Sequence, residues 1–255
     1  MIDWQRNPDY AAGQAGAAFA SLDAVFELQG ERVTIDPESE VIRLRCDGIL
    51  YYVKRYTIGR RKLARRWFGL RDIFGPQRAV KEWRNLQRFH AWGLPTATLV
   101  AWGQERQGGR FVRAALVTEE LRDTVDLSKL YYDADPRLRD ARWVAAVSTQ
   151  VAACTRAMHA HGFVHNDLKW RNLLVTNGET PQLYLIDCPN GGFWMQPFLG
   201  YRIVKDLACL DKVAKCALSR TQRLRFYLDY AGRSRLTAAD KRKIRKILDF
   251  FAGRE

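Results

Sequence analysis

No stretch of this 255-residue chain stays apolar for the roughly 20 residues that a bilayer-spanning helix needs. The opening Met1-Ile2-Asp3-Trp4 lacks the basic-then-apolar order of a secretory signal, so the expected location is the cytoplasm. Cysteine is sparse: five residues, at 46, 154, 188, 209 and 216, with no CxxC pair. That excludes a disulfide framework or a cysteine-rich zinc site and predicts reduced thiols. No internal repeat and no low-complexity linker interrupts the chain. Glycines spaced as GxGxxG are missing too, and only Gly30 falls in the first pair of expected strands. Acidic residues are in deficit, 28 against 42 Lys+Arg, which leaves a formal charge of +14. Such a surface attracts polyanions: nucleic acid, anionic lipid head groups, an acidic protein or a phosphorylated glycolipid.

The length suits one large domain or two small lobes. The first half reads as strands with one helix. Residues 26–35 and 41–46 are strand-like, Asp36-Pro37 turns between them, and Asp47-Gly48 is a hairpin signal. A third strand over 49–56 puts Lys54 on one face with Leu50 and Tyr52. A helix over about 77–92 follows Pro76 and stops at Gly93, with Ala79, Trp83, Leu86 and Phe89 at helical spacing and Glu82 among them. Strands are expected over 98–104 and 111–118. The second half is mostly helical. Val144, Val147, Val151, Cys154 and Met158 form one stripe, and a further helix is expected over 203–218. Thr237 and Asp240 start a last helix that buries Ile244, Ile247, Leu248 and Phe251. The expected fold is α+β: an N-lobe over 1–118 with a small antiparallel sheet and one main helix, then a mostly helical C-lobe over 119–255, with a cleft between them.

Chemistry concentrates in His165-Asn166-Asp167-Leu168-Lys169-Trp170-Arg171-Asn172, followed 15 residues later by Asp187. A carboxylate, a lysine two residues on, an amide three further and a second carboxylate after a short hairpin have the spacing of a phosphoryl-transfer loop. Asp167 would accept a hydroxyl proton, Lys169 would meet the transferring phosphoryl group, and Asn172 with Asp187 are hard oxygen ligands for Mg²⁺. Upstream, Lys54 on a strand and Glu82 on the next helix are the candidate ion pair for the α/β-phosphates of ATP. Leu116-Val117-Thr118-Glu119-Glu120-Leu121 sits where the lobes join, and backbone groups of Glu119 and Leu121 suit an adenine edge. Arg60-Arg61-Lys62-Leu63-Ala64-Arg65-Arg66-Trp67-Phe68-Gly69-Leu70-Arg71 mixes cations with apolar residues and no acid, as an anionic membrane surface would favour.

These pieces together resemble the lipopolysaccharide core kinases of the Kdo/WaaP family. The resemblance runs over about residues 25–215: Tyr51-Tyr52-Val53-Lys54, Glu82-Trp83, Val117-Thr118-Glu119-Glu120-Leu121, Thr124-Val125-Asp126-Leu127, the loop at 165–172, Leu185-Ile186-Asp187 and Lys205-Asp206-Leu207-Ala208. The last of these resembles the helix that braces the catalytic loop in that family. It implies a protein-kinase-like bilobal fold and ATP- and Mg²⁺-dependent phosphorylation of a heptose or Kdo hydroxyl of the lipopolysaccharide inner core. The enzyme would be cytoplasmic and peripheral to the inner membrane, touching its anionic surface, and nucleic acid is not the expected partner. By the same carry-over Asp167 is the base, Asn172 and Asp187 the metal ligands, and Lys54 with Glu82 the phosphate clamp. Asp187-Cys188-Pro189 stands where protein kinases have Asp-Phe-Gly. Only 19 positions separate Asp187 from Asp206, which leaves little room for a peptide-docking segment. The alternatives are a small-molecule or atypical protein kinase, and a pseudokinase or basic binding module.

Overall fold

The computed structural model describes residues 1–57 and 78–253, so the basic stretch at 60–71 lies outside the described residues. The chain forms two compact units and does not divide at a single point. The first comprises Met1–Arg88 and Ala97–Leu121, the second Phe89–Thr96 and Arg122–Glu255.

In the first unit a six-stranded antiparallel sheet has the order β1-β5-β6-β4-β3-β2. Its strands are β1 (Ile2–Arg6), β2 (Glu31–Asp36), β3 (Ser39–Cys46), β4 (Ile49–Thr57), β5 (Leu99–Gln107) and β6 (Arg110–Glu119). Asp47 (φ 50°) and Gly48 (φ 77°) close the β3–β4 hairpin with two positive-φ residues, the backbone that a tight right-twisted hairpin demands. Alternation then sorts the side chains. Tyr51 and Val53 of β4 join Val100, Ala115 and Val117 under Phe19, Leu22 and Val25, which come from or adjoin the short helices α1 (Gly13–Ala18) and α2 (Leu22–Glu27). Tyr56 lies on the opposite face with Leu99, Ala114 and Leu116, covered by Ala79, Val80, Trp83 and Leu86 of α3 (Arg78–Ala91). Lys54, one strand period from Tyr56, therefore faces α3.

Two expectations change here. Phe26 was read into a strand over 26–35, but it belongs to α2, whose N-terminus is capped by Ser21 Oγ accepting from the Ala24 amide at 3.1 Å. Strand structure begins only at Glu31. The edge strand β1 was not expected at all. It lies so close to β5 that a Cβ on Gly103 would sit 2.1 Å from the Asp3 carbonyl oxygen.

The second unit is built on α5 (Ala141–Ala160), started by Asp140, whose carboxylate accepts from the Arg142 and Trp143 amides. Val144, Val147, Val151, Cys154 and Met158 are all buried, as their spacing predicts. Leu173–Thr176 (β9) pairs with β10 (Leu183–Leu185) and with β7 (Thr124–Asp126), which leads into α4 (Leu127–Tyr132). Phe163–Val164 (β8) pairs with β11 (Gly192–Phe193). Helices α6 (Phe198–Ala217), α7 (Arg220–Ala231) and α8 (Ala238–Leu248) complete it. Helix α7 was not foreseen. The α8 start was: Thr237 and Asp240 form a reciprocal capping box. Ile247 is buried and Ile244 and Phe251 pack partly, but Leu248 is 54% exposed, against expectation. Among α5, α6, α7 and α8 lies an apolar cavity of about 580 Å³, bordered by Val147, Leu210, Phe226 and Leu248, with Arg220 and Arg223 also lining it.

Candidate active site

In the first unit, Lys54 Nζ donates to both carboxylate oxygens of Glu82, at 3.0 and 3.1 Å. Glu82 is 5% exposed, so its charge is desolvated and needs its partners. Tyr56 supplies a further one, donating its hydroxyl to Glu82 Oε2, while the Lys54 ammonium lies 5.6 Å from the Tyr56 ring centroid. The lysine and the glutamate stand out in the sequence; the tyrosine is marked there only by its place two residues along the same strand. Glu119 ends β6, and its amide already donates to the Thr98 carbonyl at 3.0 Å. A base edge meeting the Glu119 backbone would therefore meet its carbonyl. The Glu119 carboxylate takes the hydroxyl of Tyr10, a contact that ties the N-terminal segment to this strand end and raises the phenol's pKa, first through burial and then through that hydrogen bond. Leu121 is the last residue of this unit.

The second unit brings Asp167, Lys169, Asn172 and Asp187 together around one loop. Lys169 Nζ lies 2.6 Å from Asp167 Oδ1, and Arg171 Nη2 is 3.3 Å from Oδ2. Partial burial works against the charged carboxylate, but the hydrogen bonds and charges of Lys169 and Arg171 outweigh it and hold Asp167 below the ordinary carboxyl value. Asn172 is buried, and its Nδ2 donates to the Asp167 carbonyl at 2.8 Å, which commits the amide's donor side to the loop and leaves its oxygen as the side-chain acceptor. The Asn172 carbonyl accepts the Ile186 amide at 3.0 Å, bringing the start of the Asp187 segment against the loop. Asp187 has φ 54°, a left-handed backbone that β-branched residues avoid. Behind it, a Cβ on Gly191 would meet Cys188 Sγ at 2.4 Å.

What holds the loop is Asp206, which is fully buried on α6. Its two oxygens accept the backbone amides of His165 (2.7 Å) and Asn166 (2.9 Å). Asn166 (φ 64°) is fastened further by Lys205 Nζ on its carbonyl and by its own Nδ2 on the Asn190 carbonyl. His165 is also fully buried, and neither ring nitrogen has a hydrogen-bond partner among the described residues. Burial lowers its pKa and keeps the imidazole neutral; the carboxylates of Asp206, Asp167 and Asp187 and the nearby Ile186 backbone oppose that shift without overcoming it. A second histidine was not foreseen. His159 places Nε2 3.4 Å from Asp206 Oδ2 and Nδ1 2.9 Å from the Tyr230 hydroxyl. Burial raises the Tyr230 pKa, so the phenol keeps its proton and can donate it to Nδ1. In a neutral imidazole that donation pairs with a proton on Nε2, facing Asp206. The reverse tautomer would set a nitrogen lone pair against a carboxylate.

Two oxygen donors, the Asn172 amide and the Asp187 carboxylate, suit a hard divalent cation that draws its remaining ligands from phosphate and water. Among the described residues no cluster of three or more His, Cys, Asp or Glu is placed to hold a metal ion.

Residues 19–241 match the model of the family described as "Lipopolysaccharide kinase (Kdo/WaaP) family". A curated protein from Pseudomonas aeruginosa, lipopolysaccharide core heptose(I) kinase WaaP, is 31% identical over 148 residues, 57% of this chain and 54% of that protein. The chain thus spans about half the length of that relative. Among solved structures, WaaP in complex with acyl carrier protein has a TM-score of 0.72 and 25% identity, covering 97% of this chain and 95% of that chain.

Proposed function

The chain belongs to the lipopolysaccharide kinase (Kdo/WaaP) family, and from that premise we propose that it moves the γ-phosphoryl group of ATP to a heptose or Kdo hydroxyl of the lipopolysaccharide inner core. The observation that carries this reading is Asp167, a carboxylate kept charged by Lys169 and Arg171 on a loop whose backbone is pinned by a buried carboxylate. In the proposed reaction Asp167 accepts the proton of the acceptor hydroxyl as its oxygen attacks phosphorus. Lys169 moves from Asp167 towards the charge that builds on the transferring group. Lys54, oriented by Glu82 and Tyr56, binds the α/β-phosphates, and the backbone at Glu119 and Leu121 meets the adenine. Asn172 and Asp187 would hold Mg²⁺, which when bound neutralises phosphate charge. The reaction is placed at the cytoplasmic face of the inner membrane. Incubation with γ-labelled ATP and a panel of core oligosaccharides, small alcohols and peptides tests the reading: label is expected on the core sugar alone. Label on a peptide or a small alcohol instead would replace it with one of the other kinase readings.

A partner reading has its own support. The solved WaaP structure is a complex with acyl carrier protein. This chain pairs a net charge of +14 with an apolar cavity of about 580 Å³ in its second unit, a combination that fits an acidic protein bearing an acyl chain. Co-purification with acyl carrier protein, lost when Val147 and Leu210 are replaced by larger aromatics, is the expected result.

A further inference from the structure

Eleven large apolar side chains are exposed among the described residues, and four of them, Phe193 (55%), Met195 (84%), Phe198 (65%) and Tyr201 (53%), fall within nine positions. This clustering is not the scattered exposure that any soluble surface shows. The segment begins six residues after Asp187 and runs into the first turn of α6, where Phe198 and Tyr201 lie three apart and so share a face. Its base is anchored: Phe193 packs edge-on against Trp92 and Phe163, and Trp194 lies 4.3 Å from the Arg202 guanidinium. The tips at Met195 and Phe198 are left to solvent.

The surroundings have one sign of charge. Residues 188–205 contain no Asp or Glu, and Arg202 and Lys205 close the segment. Tyr201 leads on to Phe250, with ring centroids 5.5 Å apart, and Phe250 contacts Phe251, over which Lys212 Nζ sits at 5.4 Å. Phe250 follows α8, whose Lys241, Arg242, Arg245 and Lys246 are exposed, with Asp249 the one acid between Lys246 and Phe250. Protruding Phe, Met and Tyr beside Lys and Arg is the composition that enters the head-group boundary of an anionic bilayer. A second copy of the chain is a poorer occupant, since pairing would bring together two molecules of net charge +14.

We propose that residues 193–201, flanked by the cations of α6 and α8, form the surface with which this protein docks onto an anionic lipid bilayer. The proposal deepens the glycolipid-kinase reading and rests on it only for the identity of the membrane-anchored acceptor. The docking would set the height of the loop bearing Asp167 and Asp187 above the acyl chains.

The test uses the full chain and the double variant Met195→Ser/Phe198→Ser, with Tyr132→Ser (76% exposed, in α4) as control. Partition onto phosphatidylcholine vesicles with and without phosphatidylglycerol is read by flotation, and phosphoryl transfer is read on glycolipid in vesicles and on deacylated core oligosaccharide. The wild-type chain should bind only the anionic vesicles. The double variant should bind about tenfold more weakly and show a raised KM for vesicle glycolipid alone, and the control should match wild type. Vesicle binding that is absent in wild type, equal on neutral lipid, or unchanged in the double variant overturns the proposal. So does a dimer that the double variant dissociates without loss of lipid binding, because the patch would then be a contact between copies. Failure of the kinase reading looks different: no transfer to either acceptor, with the vesicle result intact.

Discussion

Asp167 combines two demands that a single carboxylate rarely meets unaided: it must stay ionised while partly buried, and it must be free to take a proton. Lys169 and Arg171 satisfy the first by holding it below its ordinary value of 3.8. In the free protein the group is therefore charged at any pH above that value and loses its charge only as the pH falls through the depressed one. The acid limb of kcat/KM should lie below the usual carboxylate range, and Lys169→Ala should move it upward, as a pH–rate profile would show. Asp167→Ala should cut transfer by about 10²–10⁴-fold and leave ATP binding, read by calorimetry, largely intact. Further back, Tyr230→Phe keeps the ring and removes the hydroxyl that pairs with His159 Nδ1. Its kcat should fall severalfold with the KM for ATP unchanged, and the ¹⁵N shift of His159 Nδ1 should move as that nitrogen loses its hydrogen bond while Nε2 still faces Asp206. An unchanged Nδ1 shift and kcat would reduce Tyr230 to packing. Of these groups the sequence displayed Asp167, Lys169, Asn172 and Asp187 because they are close along the chain. Tyr230 stands 71 residues from His159 on a helix with no marked apolar face, so only the folded chain unites them.

Elements with strong periodicity or explicit caps were readable. Helix α5 keeps its stripe for about four turns, and Thr237 with Asp240 announces α8. Helix α2 was misread because six residues cannot show a helical period and Val25-Phe26 has strand composition. Strand β1 is five residues long with no buried position, and only its register against β5 makes it a strand. Two predictions belong here. Gly103→Ala should push β1 off the sheet, since its Cβ would meet the Asp3 carbonyl; hydrogen exchange should show lost protection at Gln5 and Arg6 with the sheet interior unchanged. Thr237→Ala should cost about 1 kcal/mol by removing the α8 cap. Asp240, lowered to about 2 chiefly by hydrogen bonds from the Thr237 side chain and backbone, stabilises that cap fully above its ordinary value of 3.8. The contribution disappears as the pH falls from there to about 2, so acid titration of far-ultraviolet ellipticity should differ between wild type and Asp240→Asn only above that window's lower end.

Across the whole molecule, charge and fold point the same way. A chain with 14 excess positive charges suits an acceptor dense in phosphate, and its affinity for such an acceptor should fall steeply with salt while ATP affinity falls less. The α+β class was legible because strands crowd the first half and long helical stripes the second. The membership of residues 89–96 in the second unit was not: Gly93 and Pro95 mark where the helix ends, but which core Phe89 and Leu94 join is set only in the folded chain. The central claim is that a phosphorylating site built on Asp167 acts on the lipopolysaccharide core. Transfer of label from γ-labelled ATP to purified core oligosaccharide, wild type beside Asp167→Ala, tests it most directly. The account predicts one labelled sugar hydroxyl with wild type and essentially none with the variant. Equal labelling by both, or no labelling of core sugar by a wild-type chain that binds ATP, would contradict it.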